Sequence, residues 1–146
     1  MMDFDLNAAQ RAIAADPFSR LLGTQVTAAQ PGQVELSLEV RPTFLHRAGT
    51  VHEGLLSSLA DTALACAGGS VLGPQVVTAS MHISYVEPAE GTWVAAQAQV
   101  IRAGRRTALC RCSVVVVKQG TRVLCATAQG TIVAVGNASR TTFLDK

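Results

Sequence analysis

Asp61 is the only formally charged side chain in the 33 residues from Gly54 to Val86, and it stands inside the apolar, alanine-rich run Leu55-Leu56-Ser57-Ser58-Leu59-Ala60-Asp61-Thr62-Ala63-Leu64-Ala65. Desolvating a carboxylate without a partner is costly, and Asp is a mediocre helix former, so neither burial nor propensity accounts for it. It is either a working carboxylate or one that faces solvent or pairs with an arginine from elsewhere. Upstream, His52-Glu53-Gly54 marks the start of a helix, where unpaired backbone N–H groups point outward with the positive end of the dipole and can stabilise a developing oxyanion. Asp61 lies eight residues past Glu53, about 12 Å along a helix axis at 1.5 Å per residue. A base or nucleophile and the oxyanion donors must converge on one carbonyl, about 3 Å from each. One helix cannot supply both. Two antiparallel copies can, each lending its N-terminus to the other's Asp61, which places the chemistry at a dimer interface.

Other polar residues have plainer readings. His46, His52 and Asp61 form no spacing known for zinc, so no metal site is expected. His52 is suited to capping the helix and positioning its first turn. His82 shares a polar strand face with Thr78, Ser80 and Ser84. Ser57 and Ser58 stand at i−4 and i−3 to Asp61, within hydroxyl reach of its carboxylate, or are small residues that permit close packing. Neither sits in a nucleophile elbow, which argues against a serine hydrolase.

The elements that must position these groups are legible in the periodicity. Residues 1–16 read as an N-terminal helical segment, with a weak helical pattern over 4–15 that Asp16-Pro17 ends. Val34, Leu36, Leu38 and Val40 alternate with Glu35, Ser37 and Glu39, a half-buried strand entered through the Pro31-Gly32 turn and paired with residues 24–29. Residues 42–51 read as loop. From His52 to about Ala67 the period is helical, apolar on nearly every side, with Gly68-Gly69 as the stop. Strands follow over residues 76–86, 93–101, 107–117 and 123–135, joined by short turns. In the first of them Val77, Ala79, Met81, Ile83 and Tyr85 alternate with Thr78, Ser80, His82 and Ser84. One antiparallel sheet around one central helix is the α+β arrangement that fits. A single curved sheet cannot cover that helix on every side, so a second subunit is expected to cover the rest.

Composition bounds the function. The chain of 146 residues is 49% apolar but only 4% aromatic. It reads as one domain over 1–146 whose core is built from Val, Leu, Ala and Ile, with no obvious aryl-stacking pocket. A net charge of +2, without a basic run, gives no reason to expect nucleic acid. No apolar stretch of membrane-spanning length is expected, and the acidic start gives no signal peptide. Cys66, Cys110, Cys112 and Cys125 lack zinc-like spacing; Cys110 and Cys112 fall on one strand face as small core residues. A reduced, cytoplasmic protein is the expectation.

The run His46-Arg47-Ala48-Gly49-Thr50-Val51-His52-Glu53-Gly54, followed by Leu59-Ala60-Asp61-Thr62-Ala63, resembles the signature of the hotdog-fold acyl-CoA thioesterases of the phenylacetyl-CoA thioesterase (PaaI-like) family. There it reads roughly Asn-x-x-Gly-x-x-His-Gly-Gly, then Leu-Ala-Asp-Thr on the central helix. Tyr85-Val86-Glu87-Pro88-Ala89 and residues 102–107 resemble the family's next two segments, so the likeness covers nearly the whole chain. It implies a hotdog fold whose sheet extends across a homodimer, with pairing into a homotetramer, and an acyl-CoA substrate. Coenzyme A is then part of the substrate, and no separate cofactor is implied. Asp61 falls on the catalytic carboxylate, as general base or nucleophile. Glu53 falls on the first Gly of His-Gly-Gly, whose N–H polarises the thioester carbonyl, with Gly54 after it; a backbone donor survives the change of side chain. His46 falls on the Asn that orients water, and Thr78 on a Ser/Thr that assists in some members. The turn bearing Arg102, Gly104, Arg105 and Arg106 matches the segment that touches coenzyme A, whose 3′-phosphate and diphosphate suit arginine. The implied reaction is hydrolysis of an aryl- or medium-chain acyl-CoA. The alternatives are an acyl-thioester dehydratase or hydratase, and a non-catalytic acyl-CoA binding module, which Glu53 in place of Gly keeps open.

Overall fold

Twenty residues, Glu53–Leu72, form one helix, α3. Only Thr62 and Val71 are β-branched in it, and Ala and Leu dominate, so propensity and burial agree. Leu55, Leu56, Leu59, Ala60, Ala63, Leu64, Ala67 and Gly68 are buried against the sheet. The expected stop at Gly68-Gly69 is wrong. A Cβ at Gly68 would lie 2.7 Å from the Ile132 Cβ, so this glycine lets the helix approach the sheet rather than ending it. The helix ends at Gly73, whose φ of 116° suits glycine. By length and composition α3 could cross a bilayer, contrary to the expectation of no such stretch: small residues do not interrupt a helix, and Asp61 is one charge. Its apolar face is buried in the sheet instead.

This computed structural model describes residues 4–136. The first residues of the helical segment expected over 1–16, and the chain after 136, lie outside the described residues. Helix α1 (Leu6–Ala15) starts at Asp5, whose carboxylate accepts from the Ala8 N–H. Asp16-Pro17 ends it as expected and also opens a helix the periodicity missed, α2 (Pro17–Leu22). Asp16 accepts from the Ser19 N–H at 3.1 Å, and Gly23 closes the helix with φ of 76°. Six residues are too few to show a helical period.

Strands β1 (Gln25–Gln30), β2 (Gln33–Glu39), β3 (Val76–Tyr85), β4 (Trp93–Ala103), β5 (Thr107–Lys118) and β6 (Thr121–Ala134) form one antiparallel sheet ordered β1-β2-β4-β5-β6-β3. Val34, Leu36 and Leu38 are buried, as their alternation requires. Cys110 and Cys112 are also buried, and all four cysteines are free. On β3 the expected alternation fails. Thr78 pairs with Ile132 but Ser80 pairs with Thr131, so a bulge at Ala79 shifts the side-chain parity. Thr78 therefore shares the helix-facing side with Met81 and Ile83 instead of opposing them. β1 and β3 are the outer strands, and among the described residues no further strand pairs with either edge.

Candidate active site

The loop before α3 is built around His46. Leu45 and Val51 form a bridge, the His46 N–H donates to Thr50 O at 3.0 Å, and the Gly49 N–H donates to His46 O at 2.9 Å. Gly49 has φ of 88°, a conformation glycine takes without strain. The His46 ring serves the same loop: Nδ1 accepts from the Ala48 N–H at 3.0 Å, and Nε2 lies 2.6 Å from Thr50 Oγ1. With Nδ1 accepting, a neutral ring keeps its proton on Nε2 and donates it to Thr50; the tautomer is inferred from these partners. Both ring nitrogens thus have loop partners.

His52 is the N-cap residue of α3. Its N–H donates to Phe44 O at 2.8 Å and its Nδ1 accepts from the Gly54 N–H at 2.8 Å. Its carbonyl accepts from the N–H groups of Leu55 and Leu56. A helix opens with four unpartnered N–H groups. Here Gly54, Leu55 and Leu56 are satisfied within the chain, and among the described residues nothing accepts from the Glu53 N–H. The Glu53 side chain is exposed and has no ion-pair partner among the described residues. Tyr85 Oη donates to the Glu53 carbonyl at 3.4 Å.

Asp61 sits two turns further along, half-buried, with Oδ1 accepting from Thr78 Oγ1 at 2.7 Å. Ser57 and Ser58 do not reach it. Both donate back to the Gly54 carbonyl, at 3.1 and 2.8 Å, the local alternative open to helical serines. Asp61 and the Glu53 N–H are therefore separated by the helix rise of about 12 Å within one chain.

The basic turn lies elsewhere. Arg102, Gly104, Arg105 and Arg106 are all exposed. The Gly104 N–H donates to Thr107 O at 2.8 Å, and Arg106 O accepts from the Ala134 N–H at 2.8 Å, which fastens the turn to β6. Thr78, Ile132, Ala108 and Ala103 form one row across four strands. Three inter-strand steps of about 4.8 Å put the turn roughly 14 Å from Thr78. Within one chain it does not touch Asp61.

Two features went unread in the sequence. Phe18 on α2 and Phe44 in the 3-10 turn Pro42–Phe44 flank an open groove of about 310 Å³ beside His52 and Gly54. Two of the chain's six aromatic residues stand here; the Asp-Pro-x-Ser cap is the sequence signal for α2. The alternation of β2 puts Glu35 on the polar face, and there it accepts from Thr27 and Gln97 and lies 3.5 Å from Arg122. Burial alone would raise its pKa, but those hydrogen bonds and the guanidinium outweigh it and hold the carboxyl below its ordinary value. Burial pushes the thiols of Cys66 and Cys110 up to about 11 and that of Cys112 up to about 12, so none is a thiolate nucleophile at neutral pH.

One antiparallel sheet wrapped on a long helix, with a lone carboxylate midway along it, defines the hotdog class of thioester enzymes. The PaaI protein of the phenylacetic acid degradation operon of E. coli superposes with a TM-score of 0.77 at 25% identity, over 88% of this chain and 91% of that one. A mutant form of the phenylacetic acid degradation protein PaaI of Thermus thermophilus does so with a TM-score of 0.72 at 36% identity, over 82% and 100%. A Deinococcus radiodurans protein whose name proposes an esterase is 37% identical over 98 residues; the alignment spans 66% of each chain, just under two thirds. Residues 48–125, which hold the His52-Glu53-Gly54 turn, Asp61, Thr78 and the basic turn, match the thioesterase superfamily model. The chain belongs to the thioesterase superfamily, and its enzyme class is thioester hydrolase.

Proposed function

We propose that this chain hydrolyses an aryl- or medium-chain acyl-CoA to the free acid and coenzyme A, with Asp61 as the catalytic carboxylate. The observation that carries this is the Thr78–Asp61 hydrogen bond of 2.7 Å, which holds a half-buried carboxylate in one orientation with its second oxygen free of side-chain partners among the described residues. As general base, Asp61 takes a proton from water while the water oxygen adds to the thioester carbonyl. The oxyanion is held by the open Glu53 N–H at the positive end of α3. The C–S bond then breaks, and the departing thiolate takes the proton from Asp61. As nucleophile, Asp61 would attack the carbonyl itself, breaking the C–S bond and expelling the coenzyme A thiolate. Water would then hydrolyse the mixed anhydride, releasing the acid, restoring the Asp61 carboxylate and supplying the proton that the thiolate takes up.

His46, His52 and Gly54 act as positioning residues for the loop and the helix start, and Thr78 for the carboxylate. Arg102, Arg105 and Arg106, with Gly104 in their turn, hold the coenzyme A phosphates, and no separate cofactor takes part. Because the helix rise separates donor and carboxylate by about 12 Å, the site is shared between two copies in a homodimer whose sheet continues across the β3 edge. Such dimers pair further into a homotetramer. Four free thiols suit a reducing, cytoplasmic location. The test is thiol release from a panel of acyl-CoAs measured beside binding of the same ligands. Release from at least one of them, abolished in Asp61→Asn, supports the proposal. Tight binding without release would instead favour a non-catalytic acyl-CoA module. Glu53, an exposed carboxylate where the family has Gly, favours that second reading.

A further inference from the structure

The groove between α2 and the start of α3 has a floor and two aromatic walls. Phe18 is 49% exposed on one side, while Leu55, nearly buried, closes the base. Phe44 forms the other wall, fixed by its N–H bond to Arg41 O and by the Arg41 guanidinium 4.7 Å above its ring. Leu45, 37% exposed, extends the wall outward. No Asp, Glu, Lys or Arg lines the groove. The groove is continuous with the proposed site, because His52 and Gly54, which flank the open Glu53 N–H, also line it.

We infer that this groove seats the acyl group of the thioester and that Phe18 is a specificity-determining residue. The inference rests on the hydrolase reading for the position of the carbonyl. A carbonyl polarised at the Glu53 N–H has its acyl substituent at the mouth of the groove. The attacking carboxylate arrives from the other copy, so the groove belongs to the subunit that supplies the N–H. Its volume of about 310 Å³ is at the lower end of small-molecule pockets. It therefore fits one ring or a short chain between the two phenylalanines, edge-to-face or stacked, and a long chain runs out past Phe18. Phe18 is held in place by the Asp16 cap on α2, which makes that six-residue helix part of the specificity apparatus.

The experiment uses full-length Asp61→Asn protein and measures Kd for acetyl-, phenylacetyl- and decanoyl-CoA by calorimetry, alone and with Phe18→Ala, Phe18→Trp or Leu21→Ala added. Leu21, 68% exposed on α2, is not in the groove and serves as the control. Phe18→Ala should weaken phenylacetyl-CoA about tenfold relative to acetyl-CoA, the scale for losing part of an apolar pocket. Phe18→Trp should weaken decanoyl-CoA most, and Leu21→Ala should leave all ratios unchanged. Ratios that do not move, or that Leu21→Ala moves equally, would overturn the assignment. So would dissociation of the dimer by Phe18→Ala with the ratios intact, which would give the groove to a second copy. Thiol release by the wild-type protein is read in parallel. Shifted ratios without release would sink the hydrolase reading and leave the groove assigned, whereas release with unmoved ratios would sink the groove alone.

Discussion

Thr78 reaches Asp61 at 2.7 Å only because β3 carries one extra residue at Ala79. Thr78 opposes Ile132, a core residue of β6, whereas plain alternation would have turned it away from the helix. Bulges are features that re-aim side chains, and this one aims a hydroxyl at a carboxylate. Asp61→Asn should leave the fold intact and reduce thiol release at least about a hundredfold, the usual scale for losing a positioned base. Thr78→Val should cost less, about tenfold, chiefly in kcat, and Thr78→Ser should restore most of it. Near-normal turnover by folded Asp61→Asn protein would remove this carboxylate from the mechanism.

The basic turn makes a separable claim. Arg105→Ala with Arg106→Ala should raise KM for acyl-CoA at least about tenfold, since charge-assisted bonds to phosphate are among the strong ones. A pantetheine thioester without the nucleotide phosphates should be affected little, and kcat should hold for both. Equal effects on the two substrates would show that the turn does not read phosphate.

Where the sequence was legible, one-dimensional pattern and three-dimensional role coincide. The alternation of Val34, Leu36 and Leu38 is a strand burying one face, and Asp61 stood out because nothing around it is charged. Where it was not, two roles share one appearance. Gly68 reads as a helix stop, but its missing Cβ admits Ile132, and only the partner strand reveals this. The Ala79 bulge is set by the register against β6, not by any residue of β3 that marks it. Ser57 and Ser58 have the right spacing for Asp61, yet a nearer carbonyl, Gly54 O, takes both hydroxyls.

Glu35 gives an acid-side prediction. Its folded pKa lies below the ordinary value of 4.5, so the unfolded chain binds the proton more readily. Its stabilising contribution is then complete above that value and is lost as pH falls through the folded pKa. Thermal melts of Glu35→Gln and wild type should differ at neutral pH and converge as pH falls below 4.5 and on through the lower folded pKa. A difference that stays constant from neutral to acid pH would mean that the ionised form plays no part.

The cysteines give the alkaline counterpart. Their folded pKa values, about 11 for Cys66 and Cys110 and about 12 for Cys112, lie above the ordinary value of 9.0. Native protein at mildly alkaline pH should therefore resist iodoacetamide at these three positions while the unfolded chain is alkylated, as read by mass spectrometry. Rapid native labelling of Cys66, the least buried of the four, would show that α3 is more open than its packing indicates.

The shared site is the most exacting claim, and the geometry at the helix start makes it testable. Proline at position 53 would remove the proposed oxyanion donor outright. The substitution is mild for the fold: the Glu53 N–H has no acceptor among the described residues, and the first helical position is where proline is best tolerated. His52, with φ −59° and ψ 134°, already has the extended conformation that precedes a proline. Glu53→Pro alone and Asp61→Asn alone should both be inactive. On mixing at equal ratio, half of the dimers are mixed, and in each of those one site of two combines an intact Asp61 with an intact N–H. Activity should then recover to about a quarter of wild type by simple pairing statistics, and a dilution series of the wild type should lose activity together with the dimer. Mixtures that stay dead although heterodimers form, or an active monomer, would mean that each site is built within one chain and that the oxyanion donor lies elsewhere than at Glu53.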